Sequence, residues 1–236
     1  MRLFKALLLG LTLLWSSQLR FAQWKPPPAE DDRLKGSYRF ERNGWIYVHL
    51  EGAPEQIGYQ HGRLLAKETE DLLRVLKPFL HHETKRDWEF YRKASRDILW
   101  PKIDSEFQRE IDGIVKGLND GGVKVDRWDI VALNALEELP YYYLPWLDRQ
   151  QGRVPTTHAP GNCSAIIATG SYTKDKRIVM GHNIWTDYIV GERWNIIFDI
   201  KPARGYRILM DGLPGVITSD DDFGINSAGI MITETT

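Results

Sequence analysis

The chain has 236 residues, 42% of them hydrophobic, enough for a buried core in one large domain or two small ones. Its 31 basic and 32 acidic side chains leave a formal net charge of −1, which argues against a dominant nucleic-acid surface. Plentiful aromatic residues exclude wholesale disorder, and the single cysteine, Cys163, excludes an intramolecular disulfide or a multi-cysteine zinc site.

Residues 1–23 read as a secretory signal peptide. Arg2 and Lys5 form a positive start, and Ala6 to Trp15 is an apolar stretch too short to span a bilayer as a helix. Cleavage is expected near residue 22 or 23. Arg20 spoils the small-residue pattern at Ala22, which leaves an uncleaved anchor as the alternative. The expected product is exported and soluble, with no stable membrane span. Residues 24–36, with Pro26-Pro27-Pro28 followed by Glu30, Asp31 and Asp32, read as a solvated linker.

From 37 to 162 the chain reads as mainly helical, after a strand-like opening between Ser37 and Leu50 around a turn at Asn43-Gly44. Apolar residues from Ile57 to Leu76 predict a helix that Pro78 ends. A weaker helix is expected over Trp88 to Leu99, closed by Pro101. Phe107, Ile111, Ile114, Val115 and Leu118 predict an amphipathic helix capped by Ser105 with Gln108 and stopped at Asn119-Asp120-Gly121-Gly122. Asp126 starts a further helix that ends near Pro140. Tyr141-Tyr142-Tyr143 and Gln151 to Asn162 are expected to be irregular.

Residues 163–236 are strand-rich. Short β-type runs occur at Ala165–Thr169, Arg177–Gly181, Trp194–Ile200, Tyr206–Met210, Gly215–Thr218 and Ile230–Thr233. Cys163 lies where the two patterns meet, after a loop and before an apolar strand. A small buried residue is one reading of it. The other is a nucleophile that attacks the carbonyl of Asn162, cleaves its own chain and becomes a new N-terminus. Its freed α-amine, with a pKa near ~7.7–8.0, then serves as base for the thiol.

Several short motifs in order carry a resemblance: Asn162-Cys163-Ser164-Ala165, Gly181-His182-Asn183-Ile184-Trp185, Ser219-Asp220-Asp221-Asp222-Phe223 and Glu234-Thr235-Thr236. Together they resemble the phospholipase B-like proteins. These are N-terminal nucleophile hydrolases related to cysteine peptidases of the penicillin acyltransferase type. Gly52 to Gly62 is similar to the propeptide start of those acyltransferase-like proteins.

The resemblance implies an α+β fold, a four-layer αββα sandwich that is incomplete here. It also implies Cys163 as nucleophile, Asn162–Cys163 as the self-cleaved bond and His182 as its neighbouring histidine. Trp185 and Asn183 become pocket residues, Thr235 supplies a polar hydroxyl, and Asp187 pairs with the α-amine. Residues 37–162 become a propeptide-like region. The residues after Cys163 are too few for two sheets and their helices, so the chain reads as the N-terminal part of a longer protein and is expected to be inactive alone.

The expected activity is hydrolysis of a lipid acyl bond through a cysteinyl thioester, as in lipid degradation. An amide-directed acyltransferase or hydrolase and a non-catalytic exported binding protein are the alternatives. Trp185 and Trp194 also read as ordinary packing residues, Asp220 to Asp222 as a solvated turn, and His81-His82 as an exposed helix end. No cofactor, metal or nucleic-acid partner is implied, because the six histidines show no metal-ligand spacing and no phosphate-binding loop occurs. A small-molecule or lipid acyl substrate is the expected partner, and the oligomeric state is left open.

Overall fold

The structure, a computed structural model, describes residues 31–157, 163–219, 223–233 and 235. Residues 1–30 lie outside it, as do Asn162, Asp220 to Asp222, Glu234 and Thr236. The chain is mixed in helix and strand, compatible with the α+β class.

Strand β1 (Tyr38–Arg42) turns at Asn43-Gly44 into β2 (Trp45–Gly52). Asn43 and Gly44 have φ of 53° and 83°, both in the left-handed region that this tight hairpin turn demands. β2 then runs parallel to β5 (Ile196–Pro202), in register from Ile46 opposite Ile196 to Gly52 opposite Pro202. β6 (Ile208–Gly212), β7 (Gly224–Asn226) and β8 (Met231–Ile232) extend the sheet antiparallel, in the order β1-β2-β5-β6-β7-β8. A separate antiparallel ribbon joins β3 (Ser164–Ala168) to β4 (Val179–Asn183). The hairpin at 38–52 thus shares a sheet with strands that follow Cys163.

Alternation along β2 sends Ile46, Val48 and Leu50 to one face, where Ile196, Phe198 and Met210 meet them. Helix α1 (Pro54–Leu64) covers that face with Ile57. A bend at Leu65 leads into α2 (Ala66–Thr84), whose Leu72, Leu73, Leu76 and Leu80 form a second core with Tyr91, Leu133, Leu139, Leu213 and Val216. Pro78 does not end this helix. It sits on the exposed side, where one lost backbone bond is tolerated, and burial of Leu80 beyond it holds the next turn in place.

Helix α3 (Trp88–Ala94) continues through a π turn at Ser95–Leu99 into a 3-10 turn at Trp100–Lys102 that contains Pro101. α4 (Ser105–Asp120) follows. Ser105 and Gln108 do not cap it: Asp104 holds the N-cap position, and Gln108 donates instead to the Trp100 carbonyl at 2.9 Å. Asp126 does cap α5 (Arg127–Leu133), in a capping box with Asp129. Tyr141 to Tyr143 are helical rather than irregular. They lie in a π turn (Glu138–Tyr143) that runs into α6 (Leu144–Gln150) and absorbs Pro140. The expected strand at Gly215–Thr218 is a loop, buried over 213–216, and β7 is a strand the sequence pattern misses.

Helices α1 and α4 cross with their backbones in contact. Gly58 and Gly62 on one face Gly113 and Gly117 on the other. A Cβ on Gly58 would lie 1.9 Å from the Glu110 carbonyl oxygen, and one on Gly117 would lie 2.2 Å from that of Tyr59. Neither obstacle is a movable side chain, so no residue larger than glycine fits without parting the helices. Gly117→Ala is expected to lower the unfolding free energy by about 3 kcal/mol, against within about 0.5 kcal/mol for the exposed neighbour Lys116→Ala. Chemical-denaturation midpoints of the two variants check this.

Candidate active site at Cys163

Cys163 is partly buried and directly precedes β3. In the ribbon, Ser164 faces Asn183 and Ala165 faces His182, so the register continues to Cys163 opposite Ile184. Side chains alternate between faces, which carries positions 163, 165, 182 and 184 to one side. Cys163 and His182 are then diagonal neighbours, a relation with typical separations of about 7–8 Å. Asn183 turns to the other side, where its Nδ2 donates to Ser164 Oγ at 3.5 Å.

The remaining predicted residues lie further along. β4 ends at Asn183, and the chain passes through Ile184, the exposed Trp185 and Thr186 to Asp187, which precedes a single turn, α7 (Tyr188–Gly191). Asp187 stands beside Tyr141. Burial first, then the carboxylates of Asp187, Glu137 and Glu83, push the Tyr141 phenol up to about 12, so it remains a hydrogen-bond donor at neutral pH. Thr235 is exposed and follows β8, at the far edge of the six-stranded sheet. Asn162 lies outside the described residues.

The ribbon is exposed on both faces, with Ile166 70% and, on the face of Cys163 and His182, Ile167 58% accessible. The six-stranded sheet, which joins segments before and after Cys163 in the sequence, is held more firmly. Asp199, 1% exposed on β5, accepts from Tyr47 at 2.5 Å, lies 2.8 Å from His49 Nδ1, and is gripped by the guanidinium of Arg207. Burial raises the Asp199 carboxyl, but Arg207, Tyr47 and His49 outweigh it and hold the group low, at about 2. Lys201 to Glu51 at 2.8 Å and Arg193 to Asp71 at 2.7 Å add further ties between segments on either side of Cys163. Composition offers no signal for this cluster, because alternation marks His49 and Asp199 only as positions off the core face.

A second set of ties fixes the loop after β6. His61 is buried in α1, and its Nε2 accepts the Gly215 N–H at 2.8 Å. Asn134 donates to the Gly215 carbonyl and accepts from the Ile217 N–H, both at 2.8 Å. Gly215 has φ of 82°, and a Cβ there would meet Leu133 and Thr69 below 3.0 Å. Residues 58–62 of the Gly52-to-Gly62 motif are thereby accounted for. Its glycines admit α4, its histidine anchors a loop, and Gln60 bonds the backbone of Glu51 through both its amide oxygen and its nitrogen.

Among the described residues no group of three or more His, Cys, Asp or Glu side chains is arranged to hold a metal, and no helix is long and apolar enough to cross a membrane.

The family model of phospholipase B matches residues 55–236. An uncharacterized protein of Archaeoglobus fulgidus is 26% identical over 204 residues, a stretch that covers 80% of this chain and 32% of that protein. The chain therefore spans about a third of the length of this relative.

Burial alone lowers the pKa of His61 to about 3, so it is neutral in the fold and protonates on unfolding below its ordinary value of 6.5. Its contribution to stability is complete above pH 6.5 and is lost as pH falls from 6.5 towards 3. Between pH 7.5 and 5 that loss is about 2 kcal/mol. His61→Gln, which keeps an acceptor for Gly215, is expected to remove this part of the acid destabilisation in urea melts at the two pH values.

Proposed function

The chain belongs to the phospholipase B family, and from that premise we propose that it is the nucleophile-bearing part of an exported lipid acyl hydrolase whose cysteine becomes an N-terminus. The observation that carries the reading is the ribbon register, which sets Cys163 at the head of a strand with His182 diagonal to it on one face.

Maturation follows from thiol chemistry. Cys163 Sγ attacks the carbonyl carbon of Asn162, the C–N bond breaks, and the proton of the thiol passes to the departing amine. A thioester results, and water hydrolyses it to the Asn162 carboxylate and the free thiol. The two products stay together in this reading, because β2 remains paired with β5 and Asp199 remains clamped by Tyr47, His49 and Arg207. His182 positions the thiol. Asp187, near in sequence to Ile184, supplies a carboxylate for the new ammonium group.

In turnover the α-amine of Cys163 takes the thiol proton, and the thiolate attacks the carbonyl carbon of an ester or amide. A tetrahedral oxyanion forms and collapses. The C–O or C–N bond breaks, the leaving group departs with the proton, and the acyl group remains on sulfur. Water, deprotonated by the same amine, then releases the carboxylic acid. Thr235 supplies a hydroxyl to the site, and Trp185 and Asn183 border the substrate. The surrounding architecture in this reading is an αββα sandwich.

Intact-mass analysis of the polypeptide, expressed at the full length of its gene, tests the proposal. A fragment beginning at Cys163 is expected. Cys163→Ala is expected to leave the 162–163 bond whole and to lower acyl-ester turnover by roughly 10³-fold or more. An uncut parent, or equal turnover without the thiol, overturns it.

A further inference from the structure

The face of the ribbon that carries Cys163 continues beyond the thiol as an apolar strip. Pairing sets Ala165 opposite His182 and Ile167 opposite Met180, and alternation turns all four to the side of Cys163. Neither β3 nor β4 contains an aspartate, glutamate, lysine or arginine. The two edges of the strip differ. His182 and Met180 on β4 are partly buried, whereas Ala165 and Ile167 on β3 are exposed. The result is an open track along β3, bordered by β4, that holds apolar surface in water.

The register also gives the dimensions of this track. Strands advance about 3.4 Å per residue, so Ala165 lies about 7 Å from Cys163 along the strand and Ile167 about 14 Å. An extended hydrocarbon advances about 1.2 Å per bond, as extended backbone does over its three bonds per residue. A chain that starts at Sγ and follows β3 passes Ala165 at about its sixth carbon. It reaches the Ile167–Met180 pair at about its eleventh. Ala165 is small and leaves the path clear. The opposite face, with Ser164, Ile166 and Val179, lies away from the thiol.

We propose that the strip formed by Ala165, Ile167 and Met180 binds the aliphatic chain of the acyl group carried on Cys163 Sγ. It thereby favours acyl groups of about twelve carbons over those of about six or fewer. The tether decides the occupant, because a group bonded to sulfur starts on the face that carries the thiol. A chain laid along β3 removes the exposed Ile167 and its own methylenes from water together. The inference rests on the acyl-hydrolase reading above and adds to it the residues that set chain length.

The test is a series of p-nitrophenyl esters from butanoyl to hexadecanoyl, each below its aggregation limit, with the polypeptide at the full length of its gene. A fully buried methylene is worth about fourfold, so one covered on a single side is expected to raise kcat/KM about twofold. The rise is expected from about the seventh carbon to about the twelfth and then ends, which makes the dodecanoyl-to-hexanoyl ratio about 60. Ile167→Thr combined with Met180→Gln is expected to bring that ratio below about 5, whereas Ile166→Thr, on the opposite face, keeps the parent's value. Ile167→Thr alone, at an exposed position, repeats the test should the double variant fail to fold, and is expected to lower the ratio about fivefold. Cys163-dependent turnover with no such rise, a rise that the Ile167 variants retain, or an equal loss in Ile166→Thr overturns the strip assignment and leaves the hydrolase standing. Absence of any Cys163-dependent turnover overturns both.

Discussion

The parallel pairing of β2 with β5 is the contact on which the arrangement of this molecule depends, because it joins a strand near the start of the chain to one that follows Cys163. Its two faces work differently. On one, Val48, Leu50, Ile196 and Phe198 are removed from water and carry the hydrophobic stabilisation. On the other, Asp199 is buried as a charge, which is tolerable only with its full set of donors from Tyr47, His49 and Arg207. Removing Arg207 leaves an uncompensated charge in a nearly closed site, and removing Tyr47 leaves a buried oxygen short of a donor. The pairing is thus specific in register as well as stable, since a slip by one residue would send Asp199 into the apolar face.

Chain continuity between 157 and 163 is, on this view, mechanically redundant. The sheet, the Arg193–Asp71 pair and the His61 and Asn134 clamps on Gly215 all bridge the segments before and after Cys163. The same bridges bring Leu213 from the clamped loop, Phe79 from α2 and Trp194 from the approach to β5 to the lining of one small cavity. A pocket assembled from both segments exists only when they are docked.

How much of this was legible beforehand differs by element. Strands β3, β5 and β6 follow from short β-type runs, α4 from helical spacing although its expected cap is displaced to Asp104, and α5 from its start at Asp126. Pro78 misleads because local rules count one lost hydrogen bond, whereas the buried Leu80 on the next turn outweighs it. Gly215 to Thr218 misleads because apolar residues buried in a clamped loop look like a strand. The region before Cys163 reads as helical, and its hairpin at 38–52 is visible as strands but not as partners of β5, since pairing across about 150 positions leaves no local trace.

For the site, the amino-acid order alone determined the lone thiol at a change of pattern, while His182, Asp187 and Thr235 were singled out by the resemblance. Motifs are short-range, and they survive without knowledge of the fold. Only the tertiary structure decided that His182 shares a face with Cys163 while Asn183 turns away, that Asp187 stands beside Tyr141, and that Trp194 walls a cavity. Those relations depend on strand register and helix docking, which are set by burial summed over the whole chain and not by any one segment of it.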